Sequence, residues 1–469
     1  MRSAASARPW LWPGVALGAY LVVLLLPRPA GLGQAGQGAA AVVLAGVILW
    51  ISEAFPMGVT ALVVLFLLAA SPGAKLGAAF AGFATPVVYF LIGILVIAHA
   101  VDRTGLAARA ARFLVRRAEG SPARLYTQLL ASLPVMAILL PSGMTRNAIL
   151  IPAYQQAFRA LGIGPAARAG RAVMLCLGVL HPLASSVILT GGTNSITTAM
   201  LLGGFTWFRW LLLLGPPYLG LLFLGGLLLR LLVGPLEPGD PAAPGGSVGA
   251  DPPPSSPLTG PERRVLAVLG LTTVLWLTDA VHGWNPAVPA LLAAVLLLAP
   301  GIGVFTWRDF EQTVSWGLVF TVGVSLSLAQ ALGETGAAAW FARILVGGLP
   351  HLAERPEALA VALLIVVSVV HLGITNMSAC IALLIPVATT VAQATGLNPI
   401  ACGLLVLIAV DVVILYPVQT ATNLMAYETG FYGARDVVRL GLALFALLVV
   451  FTLVAILPYW RLMGLPISG

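Results

Sequence analysis

The chain has 469 residues, 59% of them hydrophobic and only 9% charged, with a mean hydropathy of +1.01. That excludes an ordinary soluble domain, where roughly a quarter of residues are charged. The net charge of +8 rests on 23 arginines and a single lysine, Lys75, without a basic stripe on a polar fold, which points to membrane orientation rather than nucleic acid.

A bilayer span needs roughly 20 apolar residues. In chain order such runs fall at 11–27, 38–54, 57–71, 86–102, 168–187, 208–233, 264–281, 285–300, 316–333, 400–415 and 437–459, about eleven in all. The first follows Arg2 and Arg8 but is flanked by Trp10 and Trp12 and runs into Pro27-Arg28-Pro29, without a clear small-residue cleavage site. It reads as a retained first helix within an N-terminal segment, 1–37. Residues 103–124 carry Arg103, Arg109, Arg112, Arg116, Arg117 and Arg124 against Asp102 and Glu119, with apolar Leu106, Phe113 and Leu114 between them. This is the pattern of a basic amphipathic helix on the cytoplasmic surface. Counting spans back places the N-terminus inside as well. The corresponding segment 334–357 holds Glu334, Arg343, Glu354, Arg355 and Glu357 and is not net basic, as expected where the second half is inverted. Trp50, Trp207, Trp210, Trp284, Trp307, Trp316 and Trp460 lie near proposed span ends, where an aromatic belt would put them. Asp309 and Asp436, at predicted cytoplasmic boundaries, read as helix caps.

Residues 234–262, rich in Pro, Gly, Ser and Asp, form the one long polar stretch and read as a flexible cytoplasmic linker. It separates a first repeat, 38–233, from a second, 263–460. Each repeat has Thr-Gly (104–105 and 335–336), a polar break (Pro141-Ser-Gly-Met-Thr-Arg146 and His371-Leu-Gly-Ile-Thr-Asn-Met-Ser378) and a pair of prolines thirteen residues apart (Pro152 and Pro165, Pro386 and Pro399). Each then has a second break, Thr190-Gly-Gly-Thr-Asn194 or Gln419-Thr-Ala-Thr-Asn423. Thr104 and Asn194 are 90 residues apart, Thr335 and Asn423 88. A hydrophobic chain in two halves with matching interruptions is the pattern of a secondary transporter.

The segments 124–161 and 357–395 each read as two short helices hinged at the break, a re-entrant hairpin that enters the membrane and returns. The second breaks would unwind spanning helices. Broken helices expose amides at one end and carbonyls at the other, favouring an anionic substrate and a cation respectively. The expected substrate-binding residues are Ser142, Gly143, Met144, Thr145 and Arg146 with Thr193 and Asn194, then Thr375, Asn376, Met377 and Ser378 with Thr422 and Asn423. A sodium ion, the one cofactor-like group expected, would sit at Ser142 and Gly192, and at Asn376, Ala421 and Asp411. Arginine within a membrane costs roughly 2.5–3.5 kcal/mol, so Arg146 reads as an anion ligand or a fixed stand-in for a sodium ion. The structural alternative is a pair with a nearby acid. Asp411, in the middle of an apolar run, would be that acid, a sodium ligand or a proton carrier; Glu428 is a weaker candidate, His371 would add proton sensitivity, and Glu53 reads as interfacial. Cys176, Cys380 and Cys402 lack metal-ligand spacing and read as packed thiols.

The paired tips, broken helices and arginine-rich surface helix resemble the divalent anion/sodium symporters, the dicarboxylate, citrate and sulfate carriers of the ion transporter superfamily. The likeness covers about 38–460. Relatives carry Ser-Asn-Thr in each tip; here Ser142-Gly143-Met144 stands at the first, and Thr375-Asn376-Met377 or Asn376-Met377-Ser378 at the second. The resemblance implies an all-α integral membrane fold with an inverted repeat and two re-entrant hairpins. It further implies an elevator mechanism, a homodimer in a plasma membrane, and a small dicarboxylate moved by sodium symport or exchange. A sodium/proton antiporter or an oxyanion permease of the same superfamily are the alternatives. An enzyme is disfavoured, because no His-Glu-x-x-His helix occurs and Asp411 lacks a facing acid.

Overall fold

The computed structural model describes residues 10–468 apart from 53, 119–120, 141, 204, 237–256, 348–354 and 375–376. The expected tip residues Thr375 and Asn376, Glu53, and most of the linker lie outside the described residues. The fold is all-helical, with no strand among the described residues.

Three helices open the chain: α1 (Leu11–Leu25), α2 (Gln34–Ser52) and α3 (Met57–Ala70). Next come α4 (Pro86–Arg103), a surface helix α5 (Leu106–Arg117), and the pair α6 (Pro122–Leu139) and α7 (Gly143–Ala160). The broken helix is α8 (Arg168–Ser186) with α9 (Thr193–Leu202), and α10 (Trp207–Val233) closes the half. After α11 (Gly260–Leu277) and α12 (Ala287–Leu298), the order recurs: α13 (Trp316–Glu334), surface helix α14 (Ala337–Gly347), the pair α15 (Pro356–Gly373) and α16 (Met377–Thr395), the broken helix α17 (Pro399–Val412) with α18 (Ala421–Tyr427), and α19 (Ala434–Leu462).

The duplicated motifs do the same local work in both halves. Thr104 and Thr335 donate their hydroxyls to Ala100 and Ala331 carbonyls in the last turns of α4 and α13, at 2.8 and 2.6 Å. Gly105 and Gly336 follow at φ +75° and +72°, the left-handed conformation that lets the chain leave a helix end. Leu140 and Ile374 close α6 and α15 with matching extended backbones, φ −129° ψ 91° and φ −108° ψ 97°. Both broken helices pass through a 3-10 turn, Leu189–Gly191 or Pro417–Gln419, and restart from an extended residue, Gly192 or Thr420.

Packing is reciprocal between halves. α4 lies against α12 and α13 against α3; α7 lies against α18 and α16 against α9. Small residues permit the close crossings: a Cβ on Gly93 would fall 2.7 Å from the Ala290 backbone, and one on Gly58 3.0 Å from the Gly317 Cα.

Among the described residues six helices are long and apolar enough to cross a membrane, five of them at expected spans, with six shorter apolar helices beside them. One of the six, α15, is an arm of the second pair; its 18 residues extend about 27 Å, so length alone does not separate a returning arm from a span. The basic surface helix is shorter than 103–124, running from Leu106, just after the left-handed Gly105, to Arg117, with α6 starting at Pro122. The two aspartates cap as expected: Asp309 accepts from the Thr306 N–H and hydroxyl, which holds its carboxyl below the usual range, and Asp436 accepts from the Gly433 N–H.

The tryptophan belt needs correction. Trp50, Trp207, Trp210 and Trp460 are buried, and three of them donate their indole N–H internally, to Thr190 Oγ1, Ser186 O and Leu213 O. Trp284, Trp307 and Trp316 are the exposed ones. A buried indole with an internal acceptor is a packing anchor, which position near a span end does not reveal.

Candidate functional site

Arg146 lies one turn into α7 and is fully buried. Its Nε donates to His181 Nε2 at 2.6 Å, its Nη1 to the Leu140 and Gly191 carbonyls at 2.7 and 3.1 Å, and its Nη2 to Ser185 Oγ. Leu140 closes the outgoing arm of the first pair and Gly191 ends the 3-10 turn of the first break, so both acceptors are carbonyls left over by helix ends. Every acceptor is neutral. Because His181 accepts at Nε2, the network assigns its proton to Nδ1, which is buried without a hydrogen-bond partner.

His181 reaches this position through a distortion in α8. Residues Cys176–Leu180 form a π-helical turn ahead of His181-Pro182, where the proline lacks the N–H needed to continue the α ladder. His181 and Ser185 of α8 and Gly191 of the break therefore face one guanidinium.

Asp411 is also fully buried, and among the described residues no cation comes within ion-pair distance of it. Its Oδ2 accepts from Ser186 Oγ at 2.5 Å and from Tyr218 OH at 2.9 Å, and its Oδ1 from Asn194 Nδ2 at 2.9 Å. The expected alternative of an Arg146–Asp411 pair is thereby corrected. The two charges occupy separate cages, joined through the consecutive serines 185 and 186 of α8. Asp279 caps the first turn of α10, accepting from the Trp207 and Phe208 N–H groups, and so fixes the helix that carries Tyr218.

The remaining expected residues divide. Asn194 connects Asp411 to the second pair, accepting from Ser378 Oγ at 3.1 Å and touching Met377 Sδ at 3.7 Å. Ser142 caps α7 by accepting from the Thr145 N–H, and Gly143 leaves space: a Cβ there would meet Thr422 Cγ2 at 3.4 Å and Arg146 Nη2 and His181 Cε1 at 3.8 Å. Asn423 is wholly buried and fully engaged, donating to the Tyr416 carbonyl and accepting from Tyr432 OH. Thr193, Gly192 and Ala421 sit at the restarts of the broken helices. His371 contacts the Ile374 carbonyl of its own turn, and Glu428 is exposed. Asn147 was missed by sequence reasoning; it donates to the Leu177 and Thr422 carbonyls and so ties α7 to both broken helices. Also missed were His181 as an arginine partner, Ser185, Ser186 and Tyr218; the one available signal was a Ser-Ser pair and a tyrosine inside otherwise apolar spans.

An open cavity of about 330 Å³ reaches the first tip, lined by Met144, Thr145, Ala148, Ile149, Met425 and Asp102. Met144 is 57% exposed to it. A second cavity, lined by Lys75 and Glu334, lies away from the breaks.

Broken helices packed around a buried, uncompensated arginine in an apolar helical bundle define a membrane transporter. The chain belongs to the divalent anion:sodium symporter family: the family description "Sodium:sulfate symporter transmembrane region" matches residues 10–465. A protein of Cupriavidus necator named only as a membrane protein is 27% identical, over 96% of this chain and 92% of that one. The L-tartrate/succinate antiporter of Escherichia coli K12 is 25% identical, over 93% and 95%. Among solved structures, the Alcanivorax borkumensis YdaH transporter superposes with a TM-score of 0.54 at 16% identity, covering 90% of this chain and all of that one, which is a likeness of fold.

Proposed function

We propose that this multi-pass membrane protein carries small divalent anions, dicarboxylates of the succinate and malate type, by exchange across the bilayer. The single observation that carries the reading is Arg146: a guanidinium buried to 0% exposure, bonded only to neutral acceptors, at the junction of a helix start and a helix break. A buried cation without a counter-charge is costly, and an anion is the partner that relieves it. The Gly143 side of the cage, next to Arg146 Nη2 and Thr422, is where one carboxylate would enter, with the first-turn amides of α7 behind it; contacts there leave room for no more than a methyl group, so Thr422 and His181 would move to admit it. The antiporter relatives support exchange of a dicarboxylate.

In this reading α6–α7 and α15–α16 are re-entrant hairpins related by an inverted repeat, which the reciprocal packing of α7 on α18 and α16 on α9 supports. The hairpins and broken helices move as one body against a scaffold of α3, α4, α12 and α13 in each protomer of a homodimer, with the N-terminus in the cytoplasm. Sodium-coupled uptake is the second reading, favoured by the carbonyl-bearing breaks at Gly192 and Ala421 and by the family to which the chain belongs. Counterflow in proteoliposomes tests both: succinate loaded inside should accelerate uptake of labelled succinate, L-tartrate or malate without sodium. Uptake that needs sodium and ignores internal anion would select symport, and no uptake of any dicarboxylate would remove the reading.

A further inference from the structure

We propose that Asp411 is a proton-binding site linked to the anion site, taking up one proton as the anion arrives at Arg146. The inference rests on the reading of Arg146 as anion ligand.

Arg146 and Asp411 are the two fully buried, oppositely charged side chains of the site, and each is surrounded by neutral partners. Their cages meet at one dipeptide. Ser185 accepts from Arg146, and Ser186 donates to Asp411. With the site empty, Arg146 offsets the charge of Asp411 only weakly, from beyond ion-pair distance and through that connection. An anion on Arg146 cancels the positive charge and leaves Asp411 negative, desolvated and close to further negative charge. Protonation of Asp411 removes the conflict: a buffer acid in solution gives up the proton and is left as its conjugate base, an O–H bond forms on the carboxylate, and no electron changes hands.

The donor set suits a proton better than a metal ion. A carboxylate has about four lone-pair positions, and three already face Ser186, Tyr218 and Asn194. Asn194 turns its NH2 toward Asp411 because its Oδ1 accepts from Ser378, so that amide offers no oxygen to a cation there. A proton needs a single lone pair. Ser186 and Tyr218 hydroxyls accept as readily as they donate, and Ser195 Oγ stands 3.2 Å behind Ser186 Oγ, so rotation of these hydroxyls keeps a neutral acid satisfied. Asn194 also passes the change of charge to the second hairpin through Ser378.

Other titratable groups face α17 from its neighbours without touching Asp411. On α8, His181 is committed to Arg146 through Nε2; on α15, His371 is held by the Ile374 carbonyl and Glu357 lies in the first turn. α16 brings the buried Cys380 and α9 none, while Arg435, Asp436 and Arg439 of α19 sit in its opening turns, with both arginines exposed.

Calorimetric titration of the purified protein with succinate and with L-tartrate, in buffers of different ionisation enthalpy, counts the protons taken up per anion bound. The expected count near neutral pH is about one, set by the single acid. Asp411→Asn should bind with a count near zero. Tyr218→Phe removes one donor from the charged form and should move the pH of greatest uptake upward by about one unit. Anion binding with no proton uptake in any buffer overturns the proton site and leaves the anion reading standing. Uptake that persists in Asp411→Asn, or a pH profile unmoved in Tyr218→Phe, also overturns it. Absence of binding by every dicarboxylate overturns both readings.

Discussion

The two halves share their turns but not their charges. Pro152 and Pro386, like Pro165 and Pro399, are 234 residues apart, and at that offset Leu140 meets Ile374, two residues with nearly the same backbone angles. The same offset places Cys380 opposite Arg146, and Leu177 opposite Asp411. The local backbone pattern therefore recurs while the cation belongs to the first half and the acid to the second. A recurring pattern of helix ends leaves orphan amides and carbonyls at matching places; it does not fix which side chains use them. Arg146 and Asp411 each stand where the other half has a neutral residue, so the two charged cages have no counterpart at that offset.

The largest effect should come from the cation. Arg146→Ala is expected to weaken dicarboxylate binding on the order of 100-fold or more, the scale of truncating one member of a buried charge pair. Arg146→Lys should lose less, since it keeps the charge but not the planar fork. Thermal-shift titration with succinate reads both. Because no ion pair joins Arg146 to Asp411, the double variant Arg146→Ala/Asp411→Asn should stay far below the affinity of the parent; full recovery of binding would restore the ion-pair alternative.

Next are the glycines that shape the two ends of the Arg146 cage. A Cβ on Gly191 would lie 2.1 Å from the Ser185 carbonyl oxygen, whereas on Gly143 it meets nothing closer than 3.4 Å. Gly191→Ala should therefore lower stability in detergent by about 3 kcal/mol, and Gly143→Ala by well under about 1 kcal/mol. Equal melting temperatures would contradict this geometry. Gly143→Ala should nonetheless reduce anion affinity if the space beside it holds a carboxylate.

The asparagines separate site from brace. Asn194→Leu strips Asp411 and Ser378 of a shared partner and should impair binding and its pH dependence more than folding. Asn423→Leu removes the amide's bonds to the Tyr416 carbonyl and the Tyr432 hydroxyl, which keep the Gln419 N–H and the Asn423 carbonyl as partners, and should cost about 1 kcal/mol of stability. Transport rates normalised to folded protein distinguish them.

The smallest contrast lies between two ion pairs. Arg109 donates twice to the buried Glu262, at 2.7 and 3.0 Å, where Glu262 also closes a capping box with Thr259. Arg103 meets the more exposed Asp309 at 3.5 Å. Arg109→Ala should cost about 1–3 kcal/mol, and Arg103→Ala no more than about 1 kcal/mol, both read from unfolding in detergent.

Sequence by itself determined the elements that depend on chain-local chemistry. Apolar runs located most helices, because a bilayer leaves each backbone to satisfy itself. Thr-Gly marked the ends of α4 and α13, the proline pairs marked α7 and α16, and the Gly-Gly and Thr-Ala-Thr stretches marked the breaks, since each signal acts within a few residues of itself. Arg146 and Asp411 were conspicuous for the cost of burying them. Tertiary structure alone decided what those charges meet. The partners of Arg146 come from positions 140, 181, 185 and 191, and those of Asp411 from 186, 194 and 218, brought together by a π-turn before Pro182 and by packing across the two halves. The same limit misplaced the tryptophans: whether an indole faces lipid or an internal carbonyl depends on which helix lies beside it. Hydrogen-bond partners separated by tens to hundreds of residues leave no periodicity in a single sequence, and only the assembled bundle shows that the cation and the acid stand apart.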